Sequence, residues 1–395
     1  MNAFRKFLKT VPMKIYLLIA AFLLFSFFSN DFMLVDIQKT AIILAAGVDR
    51  TETGYKVTAQ IAVPKGSDRT TGGTSSVEVE GEGETVAACF SQIYSKTGWV
   101  PKLVFCDLIT LGENTGREDI LPCLDYFLRS EYMPDSCLLA MCEGTAAELL
   151  SSHSAIDDVS SIAVQNLFSD AAEKSGKVMR ITLKEFAIGY YGVSKSGYMP
   201  VIRMADEEGG EDANGGNGEG GSSSSKETQR KIYDAEQTAV FSDGRVVALL
   251  SPEETFAFAL LKGKVFSSAF TVETEGKRLS LNVLRNEGKI DLKVKESPTA
   301  ELSVKMTVRL YNRTDPAPVL DVAENDVPAA AERAAEELIN GYLSSLWQTC
   351  KKGGCDLFNL SRILYRSSLK KYRIWKDTLL SSVDVTIQTE VSGAK

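Results

Sequence analysis

The sequence contains one histidine, His153, among 395 residues. That scarcity removes histidine-based zinc sites and leaves any Ser/His/Asp or Cys/His hydrolase resting on one side chain in a serine-rich stretch, SSHS. This stretch reads as a link between two helices, where a surface histidine is expected. Phosphate-cradling loops are missing as well: the glycines of 209–221 lack a Lys-Ser/Thr ending and follow no strand. Seven cysteines are too few for a disulfide-stapled scaffold, and the odd count leaves at least one thiol unpaired in a monomer. Cys137 and Cys142, five apart in a strand, point to opposite faces and cannot chelate one ion. Cys350 and Cys355 straddle a Lys-Lys-Gly-Gly turn with no histidine partner, which leaves a disulfide or two buried thiols. Nothing resembles a basic groove with interleaved aromatics, and the net charge of −8 also argues against a nucleic-acid partner. No catalytic, cofactor or metal site can be nominated from what remains.

What is present begins at the N-terminus. Arg5, Lys6, Lys9 and Lys14 precede an uncharged apolar run over 15–28, IYLLIAAFLLFSFF. Its length suits a signal-peptide core and is short for a membrane span of about 20 residues. Phe27 and Phe28 spoil the small-residue pattern a cleavage site needs, and the first cysteine, Cys89, is far too distant for a lipoprotein signal. The expectation is an uncleaved anchor, with Lys14 snorkelling and the basic end in the cytoplasm, so that residues from about 36 lie outside.

Downstream, residues 41–48 form a near-continuous apolar run, and 55–63 alternate after a polar turn, predicting a β-hairpin. Strands are expected at 77–80, 103–111 and 136–142, with helices at 84–97, 116–129, 145–151, 159–174 and 181–190. Thr182 and Glu185 have capping-box spacing. Residues 205–225 contain no large apolar side chain and predict a flexible tether at a domain boundary. Beyond it, 237–241 and 245–250 flank Ser-Asp-Gly as a hairpin. Ser251, Pro252 and Glu254 then open a helix that Gly263 stops. Strands at 279–284 and from Ile290 are separated by Asn286-Glu287-Gly288, read as a turn; 302–310 alternates as a half-buried strand. A long amphipathic helix is expected over 329–350 and a closing strand over 383–391.

This order predicts an α+β fold, with mixed and antiparallel sheets packed with helices in an N-terminal and a C-terminal extracytoplasmic domain. The boundaries are 1–35 for a cytoplasmic basic stub and membrane anchor, 36–203 for the first domain, 204–230 for the acidic Gly/Ser linker and 231–395 for the second domain. One charge feature stands out. Residues 351–376 carry eight basic side chains against one acid, Asp356, in an otherwise acidic chain. Arg362, Arg366, Lys370, Lys371 and Arg373 are therefore candidates for a surface facing anionic headgroups or an acidic partner loop; a solvated helix face is the plainer alternative.

The hairpin AIILAAGVDRTETGYKVTAQIAVP, with its apolar strand, Gly-x-Asp, Gly-Tyr-Lys and Gln-containing second strand, resembles the Ger(x)C family of spore germination proteins. The likeness continues through DILPCLDYFLRSEYMP, TAVFSDGRVVALLSPEETFAFALLKGKV, CDLFNLSRILYRSSLKKYRIWKD and VDVTIQTEV. It covers about 36–203 and 231–391. The resemblance implies a non-catalytic C-type subunit of a nutrient germinant receptor at the outer face of the spore inner membrane, with no cofactor. Its partners would be a multi-pass A-type subunit and a transporter-like B-type subunit. Family members are usually lipoproteins, so the missing cysteine near Phe28 is a departure, as is the long acidic linker. An alternative is a solute-binding protein that captures the germinant itself, which needs a concave pocket with convergent polar groups.

Overall fold

The computed structural model describes residues 13–29, 40–63, 75–206, 230–274, 276–313 and 327–394. Helix α1 (Met13–Ser29) stands apart, with every described side chain from Ile15 to Phe25 exposed. The expected anchor is thus helical, yet no helix among the described residues is long and apolar enough to cross a membrane.

Strands β1 (Thr40–Arg50) and β2 (Tyr55–Val63) form the expected antiparallel hairpin, closing at Arg50 opposite Tyr55. β3 (Ser75–Gly83) pairs with β2 at the sheet edge. Helix α2 (Val86–Thr97) comes next, capped by the Thr85 hydroxyl and stopped at left-handed Gly98. Of the stretch expected as one strand over 103–111, only the second half is strand, in β5 (Leu108–Gly112); a short β4 (Val100–Lys102) precedes it. Both run parallel to β1, and the chain between them leaves the sheet in a turn closed by the Cys106 N–H donating to the Leu103 carbonyl at 2.9 Å. A 3-10 turn (Glu113–Arg117) and α3 (Leu121–Arg129) lead to β6 (Leu138–Cys142). Helix α4 (Ala146–Ser151), the two-residue β7 (His153–Ser154), α5 (Ser160–Leu167), α6 (Asp170–Lys174) and α7 (Leu183–Tyr190) precede β8 (Ser196–Asp206). The Thr182/Glu185 capping box forms as expected.

The tether falls largely on 207–229, outside the described residues. On its far side β9 (Arg230–Ser242) pairs antiparallel with β8, and β10 (Arg245–Leu250) pairs with β9. One ten-stranded sheet therefore continues across the tether, in the order β10-β9-β8-β6-β5-β1-β2-β3, with β4 and β7 paired off this path. Both faces are covered, which explains the near-continuous apolar run of β1. α2, α3 and α7 pack one face, whereas α4 and α5 pack the other. Cys137 and Cys142 do lie on these opposite faces.

Helix α8 (Pro252–Leu261) has the full Ser251/Glu254 capping box and is followed by left-handed Gly263. The second sheet, in the order β11-β12-β13-β14, comprises β11 (Ser268–Thr274), β12 (Lys277–Val294), β13 (Pro298–Arg313) and β14 (Asp384–Gly393). β14 runs parallel to β13 and the other pairs are antiparallel. Between β13 and β14 lie α9 (Ala329–Gly353), α10 (Leu360–Ser367), α11 (Leu369–Trp375) and α12 (Leu379–Ser382). The architecture is α+β with mixed sheets, as expected.

The turn expected at Asn286–Gly288 is absent, because β12 runs straight through it. Asn286 instead spends both ends of its amide on the end of α8: Nδ2 donates to the Leu260 carbonyl at 2.6 Å and Oδ1 accepts from the Val265 N–H at 3.0 Å. A third core joins the two sheets, with α8 and α9 packed among strands of the second sheet and Val240 and Leu250 of the first.

A candidate interaction surface on two basic helices

Helix α9 ends at left-handed Gly354, after which Cys355, Asp356, Leu357 and Phe358 are all buried. Asp356 sets the direction in which the next helix leaves this buried stretch. Its carboxylate accepts the Leu360 and Ser361 N–H groups, each at 2.7 Å, at the start of α10, while its own N–H donates to Ser196 Oγ at 3.0 Å. Leu360 and Leu364 bury one face of α10, leaving Arg362 and Arg366 outward. Ser368 ends α10 and its hydroxyl caps α11 at the Lys371 N–H. Tyr365 and Tyr372 meet edge-to-face across the bend, ring centroids 5.2 Å apart.

All five expected basic residues are exposed or half-exposed on this two-helix unit. Lys371 is the one that is engaged, its ammonium donating to the Val294 carbonyl at the end of β12. Arg362, Arg366, Lys370 and Arg373 have no ion-pair partner among the described residues. Interleaved with them, Tyr365, Leu369 and Ile374 are exposed apolar side chains. The sequence reading missed these three. The result is a positively charged surface with apolar side chains, a composition suited to a headgroup layer or an acidic protein partner.

Asp356 links the stability of the fold to pH. Burial pushes its carboxyl up to about 6 from the ordinary 3.8, against the lowering effect of its hydrogen bonds from Ser361 and Leu360. A raised folded-state value means that its stabilising contribution is complete below about pH 4 and is lost as pH rises through about 6, on the order of 3 kcal/mol. The expected result is that Asp356→Ala costs more stability at pH 5 than at pH 8 in parallel urea titrations. Equal costs at the two pH values would remove this role.

Elsewhere the chemistry is structural. All seven cysteines are free and buried, which settles the Cys350/Cys355 alternatives as two buried thiols. His153 is exposed between α4 and α5, as expected. No group of three or more His, Cys, Asp and Glu side chains among the described residues is placed to hold a metal. A cleft of about 650 Å³ is lined by Arg50, Arg117, Arg245 and the acids Glu84, Glu118 and Asp119. Two of its arginines are already paired, Arg50 with Glu118 at 3.1 Å and Arg117 with Glu113 at 3.4 Å.

The residues behind the family resemblance are also structural. Asp49, ending the Gly-x-Asp of β1, accepts the Ala146 and Ala147 N–H groups at 2.8 and 3.0 Å, capping α4 from another strand. At Gly47 an added Cβ would come within 2.9 Å of Ala146 Cβ.

The family model for the spore germination protein N-terminal domain matches residues 34–204, and that for the spore germination B3/GerAC-like C-terminal domain matches 236–392. The chain belongs to the GerAC-like spore germination family. Among solved structures it is similar to one titled "Crystal Structure of the GerBC protein", at 15% identity over 89% of this chain and 97% of that chain, with a TM-score of 0.49. No curated protein matches it.

Proposed function

We propose that this chain is a non-catalytic, membrane-attached C-type subunit of a nutrient germinant receptor, working beside A-type and B-type membrane subunits. Family membership across both matched regions supports the receptor role. The observation that carries the docking mechanism is the exposed basic face of α10 and α11, with four of its charges free of ion-pair partners among the described residues. A chain of net charge −8 that keeps such a cluster unneutralised has a ready attraction for an anionic surface. The N-terminal helix, 17 residues or about 25 Å long, supplies the attachment. The portions on either side of 204–230 are the extracytoplasmic working parts.

The test is co-purification from detergent-solubilised spore membranes. The double variant Arg366→Glu/Lys370→Glu is expected to lower recovery of the A- and B-type subunits about tenfold. Such a loss corresponds to about 1.4 kcal/mol, within reach of two reversed charges. Both substitutions sit on the exposed side of the helices, so the variant is expected to keep the far-ultraviolet circular dichroism of the parent. Unchanged recovery, together with unchanged liposome binding, would sink the docking role of this face.

A further inference from the structure

We propose that the aromatic tip beside the start of β1 is a second membrane contact, seated in the interfacial layer of the bilayer that receives α1; the inference rests on the reading of α1 as the membrane attachment. β4 lies against the first residues of β1, with Thr40 opposite Val100 and Ile42 opposite Lys102. Just beyond, the turn between β4 and β5 carries Val104 and Phe105 at its tip, 45% and 56% exposed, on a base of buried Leu103 and Cys106. Central turn positions usually hold glycine, asparagine, aspartate or proline. Here they hold two large apolar side chains, held outward by a rigid base. Trp99, 40% exposed, precedes β4, and Tyr132, 59% exposed, stands under the Lys102 ammonium at 5.0 Å.

Tryptophan and tyrosine are enriched at the membrane–water interface, and lysine can reach the headgroups from it. Position agrees with composition. From Ser29, the end of α1, to Thr40 the chain has eleven residue steps, a reach of at most about 40 Å. The tip is therefore on the part of the molecule tied closest to α1.

Lipid fits the tip better than a protein partner. A whole aromatic side chain offers 150–250 Å², so the exposed parts of Trp99, Phe105 and Tyr132, with the smaller Val104 beside them, sum to roughly 400 Å². A stable protein interface needs about 800 Å² on each partner, whereas a bilayer interface accepts single side chains.

The experiment uses the full chain reconstituted into phosphatidylethanolamine/phosphatidylglycerol vesicles, with nitroxide labels on introduced cysteines. The seven native thiols are buried and stay unlabelled. Labels at Phe105→Cys and Tyr132→Cys report the tip, Phe22→Cys reports α1, and Ser344→Cys on the exposed face of α9 is the aqueous reference. Expected is a several-fold higher ratio of oxygen to nickel-chelate collisions at 105 and 132 than at 344. If 105 and 132 match 344 while 22 is lipid-exposed, the tip inference fails and the attachment by α1 stands. If 22 is also aqueous, both fail. Lipid exposure at 105 and 132 with 22 aqueous overturns the proposal as a second contact, because the first, α1, is then absent.

Discussion

Gln60→Leu is expected to lower folding stability by about 3 kcal/mol, read as a shift of the urea midpoint without change in slope. Gln60 is 1% exposed on β2, and its side-chain amide ties four pieces of chain together. Nε2 lies within donating distance of Glu78 Oε1 at 2.9 Å, the Leu150 carbonyl at 3.1 Å and Ser160 Oγ at 3.0 Å. Oε1 accepts the Ser161 N–H at 3.3 Å, at the start of α5. Leucine keeps the bulk and supplies none of these bonds. The Ser161 N–H would then be a buried donor without an acceptor, at about 1–3 kcal/mol, and the remaining bonds add about 1 kcal/mol each at most. Compensation nearby is scarce. Thr58 Oγ1 and Ser161 Oγ are buried and already lack partners among the described residues. A midpoint within error of the parent would show that the polar cluster contributes nothing net.

Gly288→Ala is expected to cost roughly 3 kcal/mol and to lower Tm by roughly 5–10 °C. A Cβ there would fall 2.2 Å from the Leu261 carbonyl oxygen, 2.4 Å from its carbon and 2.5 Å from the Leu260 oxygen. These are backbone atoms of the end of α8, which cannot rotate away as a flexible side chain could. The two Asn286 bonds hold that end in place, so relief requires moving the helix or bending β12. Moving α8 disturbs both sheets, because Phe258 packs edge-to-face on Tyr198 of β8 at 5.1 Å and Thr255 bonds Thr238 of β9 at 3.2 Å. Gly341→Ala on α9 is the matched control, with nothing within 4 Å of its added Cβ, and is expected to hold or raise Tm. Equal behaviour of the two variants would show that close approach at Gly288 carries no energetic weight.

These two positions also mark where the sequence was legible and where it was not. Local signals were read correctly: the Thr182/Glu185 and Ser251/Glu254 capping boxes both form, and the β1–β2 and β9–β10 hairpins close where their turn residues fall. Asn286-Glu287-Gly288 has turn composition, yet the asparagine bonds a helix end and the glycine makes room for it, both long-range demands. The run over 103–111 looked like one strand because Val104 and Phe105 suit a strand; their departure from the sheet shows only in three dimensions. The basic cluster was visible as charge density, whereas the exposure of Tyr365, Leu369 and Ile374 beside it depended on which side of α10 the Asp356 cap turns inward.

The seven sealed thiols bear on how the molecule ages. Burial holds the Cys123, Cys142 and Cys355 thiols up to about 12, so the reactive thiolate is scarce while the fold is closed. Oxidation is thus gated by opening of the chain. An opened molecule presents an odd number of thiols with no native pairing to return to, and any bridge formed then is an error that refolding does not correct. Over long storage, chemical survival is set by the rate of opening, a kinetic quantity, in place of the equilibrium stability.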